Sequence, residues 1–235
     1  AYEIMPSLVG SEMFIRDSNN VSHEIRTPLA SIKAMAETLA SDSISDRSEQ
    51  HNFLNRITNE VDHLTALIGE FRMLSNVESG SLPVTTRKVT LGSLVASTIN
   101  RLQSYADTKN LKIIYEEESA DLFVEIDPIR FQQILANLLE NAIKFTEPTG
   151  SITITTNVTG NIANVSVVDT GIGIGSEHVT RIFERLYKVD SSRNSRGSGL
   201  GLAIAKHLVQ TQGGHISVES RLGHGSAFQF SLPLL

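Results

Sequence analysis

The sequence has no cysteine, which excludes both a disulfide framework and a thiolate-ligated zinc site. Its seven histidines are scattered, without HExxH or similar ligand spacing, and this argues against a zinc enzyme. No apolar run approaches the roughly 18 residues of a membrane span and no signal peptide opens the chain, so no membrane contact is expected from this stretch. No basic block stands out, and the formal net charge of −6 lends no support to nucleic-acid binding. GxxxxGK[ST] is also missing, which excludes a Walker-type phosphate loop. What remains is a chain of 235 residues, 40% hydrophobic and 20% charged, with room for one large domain or two modest ones. It begins with Ala rather than Met and is expected to be a piece of something longer.

The two halves follow different patterns. Apolar residues at Phe53, Ile57, Val61, Leu64, Ile68 and Phe71 are spaced 4, 4, 3, 4 and 3, one stripe of a long helix. Upstream, Ile25, Leu29, Ile32, Ala36 and Leu39 repeat at 4, 3, 4 and 3. The polar SDSISDRSEQ between them offers Asp and Ser as caps, so a hairpin of two helical arms is expected. Two helices bury little by themselves. The stripes therefore predict pairing with a second copy into a four-helix bundle, or else packing against the rest of the chain.

Gly80 and Pro83 in VESGSLPVT mark a linker. Beyond it, KIIYEE and LFVEI read as strands, and DPIRFQQILANLLENAIKF as a helix capped by Asp127 with Pro128 in its first turn. SITITTNV and NIANVSVVD alternate like a hairpin around Thr159 and Gly160. A glycine-rich segment runs from Gly171 to Gly201, and GLAIAKHLVQTQ, HISVES and SAFQFSLPL read as a helix and two strands. Strands and helices do not alternate strictly, so the second half is expected to be an α+β two-layer sandwich.

One stretch of the first arm is unusual. NVSHEIRTPLASI places Pro28 inside a helix, where the missing hydrogen bond and the crowded carbonyl of Glu24 cost roughly 3 kcal/mol. At 100° per residue His23 lies roughly 200° from Ile25 and 180° from Ile32, so it is expected to face water, away from the apolar stripe. Thr27, four residues on, shares its face and Glu24 adjoins it. An exposed neutral imidazole is a competent nucleophile, although surface histidines are common.

Two glycine clusters, DTGIGIG (169–175) and GSGLGLA (197–203), remain to be explained. Neither fits G-x-G-x-x-G. Asp190 stands where a Rossmann acid would, but no crossover followed by a strand succeeds the first cluster. A better reading makes the clusters walls of one nucleotide pocket. Asp169 closes a strand, where its carboxylate could accept the amino group of adenine, and Gly171 and Gly173 would let backbone approach the base. Gly197, Gly199 and Gly201 precede a helix whose first amides could hold phosphates. Lys188, Arg193 and Arg196 add cations in a long loop. Asn137, Asn141 and Lys144 share one helix face, with an Asn141 oxygen for Mg²⁺ and the Lys144 charge for phosphate.

With these residues in place, the chain resembles the catalytic core of a two-component sensor histidine kinase. NVSHEIRTPL resembles the H-box, NLLENAIKFT the N-box, DTGIGI the G1 box, RIFERLYKVD the F-box, GSGLGLAIAKHLV the G2 box and GHGSAF a third glycine motif. The similarity spans roughly residues 12 to 235, with residues 1–11 the end of an input or linker region. It implies a dimerisation and histidine-phosphotransfer hairpin over 12–80 and a Bergerat-type ATP-binding domain over 81–235. By motif position it implies His23 as phosphoacceptor, Glu24 as the base assisting its attack, and Thr27 as the residue placing water when a partner is dephosphorylated. Asn141 would hold Mg²⁺ and Asp169 would read the adenine of ATP. Asn137, Lys144, Tyr187 and Lys188 would line the phosphate side, and Gly197, Ser198, Gly199, Leu200, Gly201 and Leu202 would form the hinge of a lid.

The implied partners are a second copy and the receiver domain of a response regulator. The implied setting is the cytoplasmic part of a membrane-anchored sensor. Pro28 would then let the helix bend so that His23 meets ATP in one state and a receiver aspartate in another. Five positions depart from the pattern: Asp17, Ser18 and Asn19 are polar where relatives are apolar, Leu186 replaces Phe, and Lys188 replaces Arg. A lysine contacts phosphate as a point charge without the bidentate fork of arginine. The rival readings are a Bergerat ATPase without phosphotransfer and a nucleotide-binding signalling scaffold.

Overall fold

Apolar residues three and four apart want helices and alternating ones want strands, and the computed structural model follows both periodicities. It describes residues 5–41, 46–79, 84–117, 123–189 and 197–234, with the side chains of 5–21, 23, 78 and 117 left out. The expectations for Gly80, Pro83, Asp190, Arg193, Arg196, the side chain of His23 and those of residues 17–19 lie outside the described residues. Two compact units result, Ala1–Arg72 and Met73–Leu235.

The first unit holds the helix α1, Met5–Ala40, and most of α2, Arg47–Glu78. α1 runs through Pro28 as one element. Asp46 caps α2, its Oδ1 accepting from the Ser48 N–H at 2.9 Å. Pro28, Met35 and Leu67 are buried. The expected stripes are only partly covered: Ile25, Ile32, Leu39, Phe53, Ile57 and Leu64 are half-buried, while Leu29 is 51% exposed, Val61 46%, Ile68 55% and Phe71 43%. Leu54, also 51% exposed, stands seven residues before Val61 and extends the row at heptad spacing.

The second unit adds β1 Arg87–Thr90, α3 Leu91–Asp107, β2 Lys112–Glu117, β3 Phe123–Ile126, α4 Pro128–Phe145, β4 Ser151–Thr159, β5 Ile162–Asp169, α5 Ser176–Val179, α6 Gly201–Gln210, β6 His215–Ser220 and β7 Ser226–Pro233. A five-stranded sheet has the order β2-β4-β5-β7-β6, and β1 pairs antiparallel with β3 in a second, two-stranded sheet. Only the β2–β4 pair is parallel in the large sheet. Its β4–β5 hairpin pairs Thr159 with Ile162 across a turn where Gly160 takes φ +61°.

Alternation puts Ile152, Ile154, Val165, Val167, Phe228 and Phe230 on one face, all buried. Against it lie the buried stripes of α3, α4 and α6, with Phe131 meeting Phe230 edge-on at 5.7 Å between centroids. The opposite face is polar, with Thr155, Asn157, Asn164, Ser166, Ser217 and Gln229. This is the expected two-layer sandwich. Leu74 and Val77, in the last turn of α2, belong to this core. The sequence reading did not single out β1 and α3.

Asp127 starts α4 as expected: its Oδ1 accepts from the Ile129 and Arg130 N–H groups at 3.0 and 3.1 Å, and Pro128 needs no partner there. The other end of α4 is held from outside. Lys109 Nζ donates to the carbonyls of Ile143, Lys144 and Thr146 at 2.9, 2.7 and 3.1 Å, satisfying acceptors that a helix C-terminus leaves free.

Candidate functional site

The face of α4 that carries Asn137, Asn141 and Lys144 lies against the second glycine cluster. An added Cβ at Gly201, the first residue of α6, would stand 3.9 Å from Asn137 Oδ1. One at Gly197, whose φ is +146°, would come within 2.7 Å of Lys144 Nζ. Asn137 Oδ1 accepts from Gln133 Nε2 at 3.2 Å, while its Nδ2 is buried without a hydrogen-bond partner. An orphaned buried donor is costly, and it suits a site completed by an acceptor. Asn141 is half-buried, and its side chain has no hydrogen-bond partner among the described residues.

Lys144 sits over the ring of Phe145 at 4.8 Å. Burial, and then the nearby charge of Lys188, hold its pKa below the ordinary lysine value. No carboxylate among the described residues forms an ion pair with it. Two cations drawn together over a partly buried surface favour an anion between them.

Asp169 ends β5 and is buried. Its Oδ1 accepts from the Gly171 N–H at 2.8 Å and the Ser226 N–H at 3.3 Å; Oδ2 has no hydrogen-bond partner among the described residues. Burial pushes its carboxyl pKa up, and the two amide bonds oppose that shift without cancelling it. Two of the three glycines of the first cluster have reasons internal to the chain. A Cβ on Gly171 would meet the Phe145 carbonyl oxygen at 2.4 Å, and one on Gly173 (φ +67°) would meet that of Arg221 at 2.1 Å. The Phe145 carbonyl also accepts from the Ile172 N–H at 3.1 Å, so the Asp169 corner is tied to the end of α4.

The third glycine motif, to which the sequence assigned no task, builds the same corner. Gly225 leaves room for the Asp169 carbonyl, which a Cβ would approach to 2.0 Å, and Ser226 supplies the second amide to the carboxylate. Lys109 and His178, which none of the motifs includes, were also missed; Arg181 opens the RIFERLYKVD stretch but was given no task.

Leu186 has φ +59°, and its N–H donates to the Gly199 carbonyl at 2.9 Å. Gly199, at φ +74°, has no room for a Cβ beside Leu186 and Tyr187. Ser198 is buried and its Oγ accepts from the Leu200 N–H at 3.0 Å; Leu200 is buried and Leu202 half-buried. The structure therefore brings Asn137 to Gly201, Lys144 to Gly197 and Lys188, and Tyr187 to Gly199. Glu24 and Thr27 lie on α1 in the other unit, half-buried and exposed respectively.

Comparison with known proteins gives two family matches. The His Kinase A (phospho-acceptor) domain matches residues 18–80, and the histidine kinase-, DNA gyrase B- and HSP90-like ATPase family matches 126–235. The chain is 37% identical over 219 residues to the circadian input-output histidine kinase CikA of Synechococcus elongatus, covering 91% of this chain and 29% of that protein. It thus spans under a third of that relative. Among solved structures it is similar to the histidine kinase ThkA in complex with the response regulator protein TrrA. The TM-score is 0.76 at 25% identity, covering 100% of this chain and 68% of the other. Full-length ShkA in complex with AMPPNP gives 0.71 at 27% identity, covering 95% of this chain and 46% of that one.

Proposed function

This chain belongs to the sensor histidine kinases of two-component systems, and from that premise we propose that it is a protein-histidine kinase core: it phosphorylates His23 from ATP and passes the group to an aspartate of a response regulator receiver domain. The observation that carries the ATP half is the anion-seeking face of α4. There an unpartnered amide donor on Asn137 and a lysine depressed by burial and by Lys188 lie under glycines 197 and 201.

In this reading residues 12–80 are the phosphotransfer hairpin and 81–235 the ATP-binding domain. Asp169 accepts from the adenine amino group through its free Oδ2. Asn137, Lys144, Tyr187 and Lys188 line the phosphates, and Gly197 to Leu202 hinge the lid. The donor set fits Mg²⁺, which usually keeps several waters and binds together with substrate phosphates, so the Asn141 amide oxygen suffices as a protein ligand. No cluster of His, Cys, Asp or Glu among the described residues offers a carboxylate cage instead. When bound there, the ion would supply positive charge to offset the negative charge of the phosphates.

Phosphoryl transfer is mostly positioning and charge stabilisation. A ring nitrogen of His23 attacks the γ-phosphorus; the N–P bond forms as the P–O bond to the β-phosphate breaks and ADP leaves. Glu24 takes the proton from the imidazole. The receiver carboxylate then displaces His23, re-forming its free ring. Thr27 places the water when the kinase runs as a phosphatase, and the buried Pro28 ring one position on marks where α1 adapts between the two partners. The exposed row Leu54, Val61 and Ile68 pairs with a second copy to complete a four-helix bundle.

The test is incubation with Mg²⁺ and γ-labelled ATP beside a His23→Gln control, followed by acid and alkali challenge. Label that survives alkali, is lost in acid and vanishes in the control is the expected result. Phosphate release without labelled protein would favour the ATPase reading.

A further inference from the structure

Tyr187 is gripped from two sides: by His178, which lies just before the RIFERLYKVD stretch, and by Arg181, which opens that stretch and shares it with Tyr187 itself. Its hydroxyl is hydrogen-bonded to His178 Nδ1 at 2.7 Å, and the guanidinium of Arg181 lies over its ring at 4.4 Å. Arg181 is in turn held by Glu184, Nη2 to Oε2 at 3.2 Å. When Nδ1 accepts the hydroxyl proton, the ring's own N–H sits on Nε2, 3.6 Å from Glu177 Oε1. His178 thus hydrogen-bonds through Nδ1 and has a carboxylate near, though beyond hydrogen-bond distance of, its other nitrogen.

The grip matters because of what Tyr187 is attached to. Leu186 is in the left-handed region at φ +59°, a strained conformation for a branched side chain that persists only when its surroundings enforce it. Its N–H bonds to the Gly199 carbonyl, and the backbone of 186 and 187 fills the space where a Cβ on Gly199 would be. On the other side of Tyr187 is Lys188, whose charge acts on Lys144. Anything that lets Tyr187 drift therefore loosens the glycine segment at 199 and the spacing of the two lysines together.

We propose that His178 and Arg181 are positioning residues of the nucleotide site, acting through Tyr187 to hold Leu186 against Gly199 and Lys188 toward Lys144. This rests on the nucleotide reading above. Neither residue touches nucleotide on this account, and their effect is on how well the phosphate side is preformed.

The experiment is a double-mutant cycle on the full chain with His178→Ala, Tyr187→Phe and the pair together, reading Kd for Mg-ATP by calorimetry and KM for ATP in autophosphorylation. Each single change is expected to weaken ATP binding about three- to tenfold, the scale of one hydrogen bond. The pair should lose no more than either alone, with the loss falling on KM rather than kcat. His178→Gln, whose amide can meet the hydroxyl, should recover most of the affinity. Losses that simply multiply in the pair, or variants that melt earlier yet bind ATP normally, overturn the clamp while leaving the nucleotide site standing. Failure of the unmodified protein to bind ATP overturns both. If His178→Ala does not fold, the partly exposed Arg181 takes its place in the cycle as Arg181→Gln, which removes the cation over the Tyr187 ring: an unchanged Kd is then the overturning result.

Discussion

The helical unit and the sandwich solve the problem of burying apolar surface in opposite ways. The sandwich is self-sufficient: Phe131, Ile134, Leu138 and Ile154 are 0% exposed and Phe228 2%. The helical unit leaves Leu29, Leu54, Val61, Ile68 and Phe71 between 43% and 55% exposed. The sandwich closes a core of its own and leaves apolar residues such as Phe123, Ile129 and Leu222 exposed singly, whereas the helical unit presents an exposed row at heptad spacing. The difference extends to chemistry. On the proposed reading, chemistry in the helical unit is concentrated within one turn of α1 around His23, whereas in the sandwich it is spread over side chains from α4, β5, the Tyr187 segment and the glycine turns.

The sharpest way to break this comparison is to charge the exposed row. Val61→Asp with Ile68→Asp should convert a dimer to monomer, because an unpaired carboxylate buried in an interface costs several kcal/mol, on the order of a whole weak dimer's stability. Sedimentation equilibrium reads the mass, and nucleotide binding by the sandwich should be untouched. An unchanged mass would mean the row meets something other than a second copy. The counterpart inside the sandwich is Phe131→Ala. It should cost about 3–5 kcal/mol by removing a fully buried ring that packs on Phe230. Denaturant unfolding of that unit measures it.

These two predictions also mark what the sequence could reveal. The stripe on α2 was readable from spacing, and so was its exposure, because a helix face too long to be covered by one partner arm implies another. The β4–β5 hairpin and the Asp127 cap were equally legible, since period two and Asp-Pro before an apolar run are local signals. β1 and α3 were not, although Leu91, Leu94, Thr98, Leu102 and Ala106 form a buried stripe. Ser, Thr, Asn and Gln interleave that stripe and no motif draws attention to it. At the candidate site, Asn137, Lys144 and Asp169 could be singled out by type and position. The reasons for Gly171 and Gly173 were not, because they depend on carbonyls of Phe145 and Arg221, far away in sequence. Lys109 and Ser226 contribute through contacts that no linear spacing encodes.

A smaller effect separates binding from folding at Asp169. Burial raises its carboxyl pKa in the folded chain, so it protonates at a higher pH than a free aspartate. If Asp169 reads adenine as proposed, recognition needs the carboxylate, so ATP affinity should decline as pH falls through that raised value, and Asp169→Asn should be weak but flat. Stability has the opposite sign. A buried acid with a raised pKa costs stability while it is charged, and that cost is relieved as the pH falls through the folded value. Lower pH should therefore weaken binding while this one group's contribution to stability improves. Calorimetric Kd and thermal melts over the same mildly acidic range test the pair, and affinity and this group's stability contribution moving together would contradict the assignment.

The smallest expected effect concerns the join between the two halves of the site. Lys109 grips the carbonyls of Ile143, Lys144 and Thr146, while the Phe145 carbonyl between them is taken by Ile172. The end of α4 is thus fixed on one side by a cation that suits the negative end of the helix dipole, and on the other by the turn that carries Asp169. Lys109→Met keeps the stem and removes the charge, leaving these part-buried acceptors to water or to nothing. The expected cost is about 1–3 kcal/mol, below that of Phe131→Ala. Because the grip is local, its loss should appear first as faster amide exchange in the last turn of α4 and only secondarily as a lower melting temperature. Exchange that quickens evenly through the sandwich would instead make Lys109 one more contributor to global stability. The α4 face would then owe its order to its buried stripe, and the contrast between a distributed site and a concentrated one would rest on packing alone.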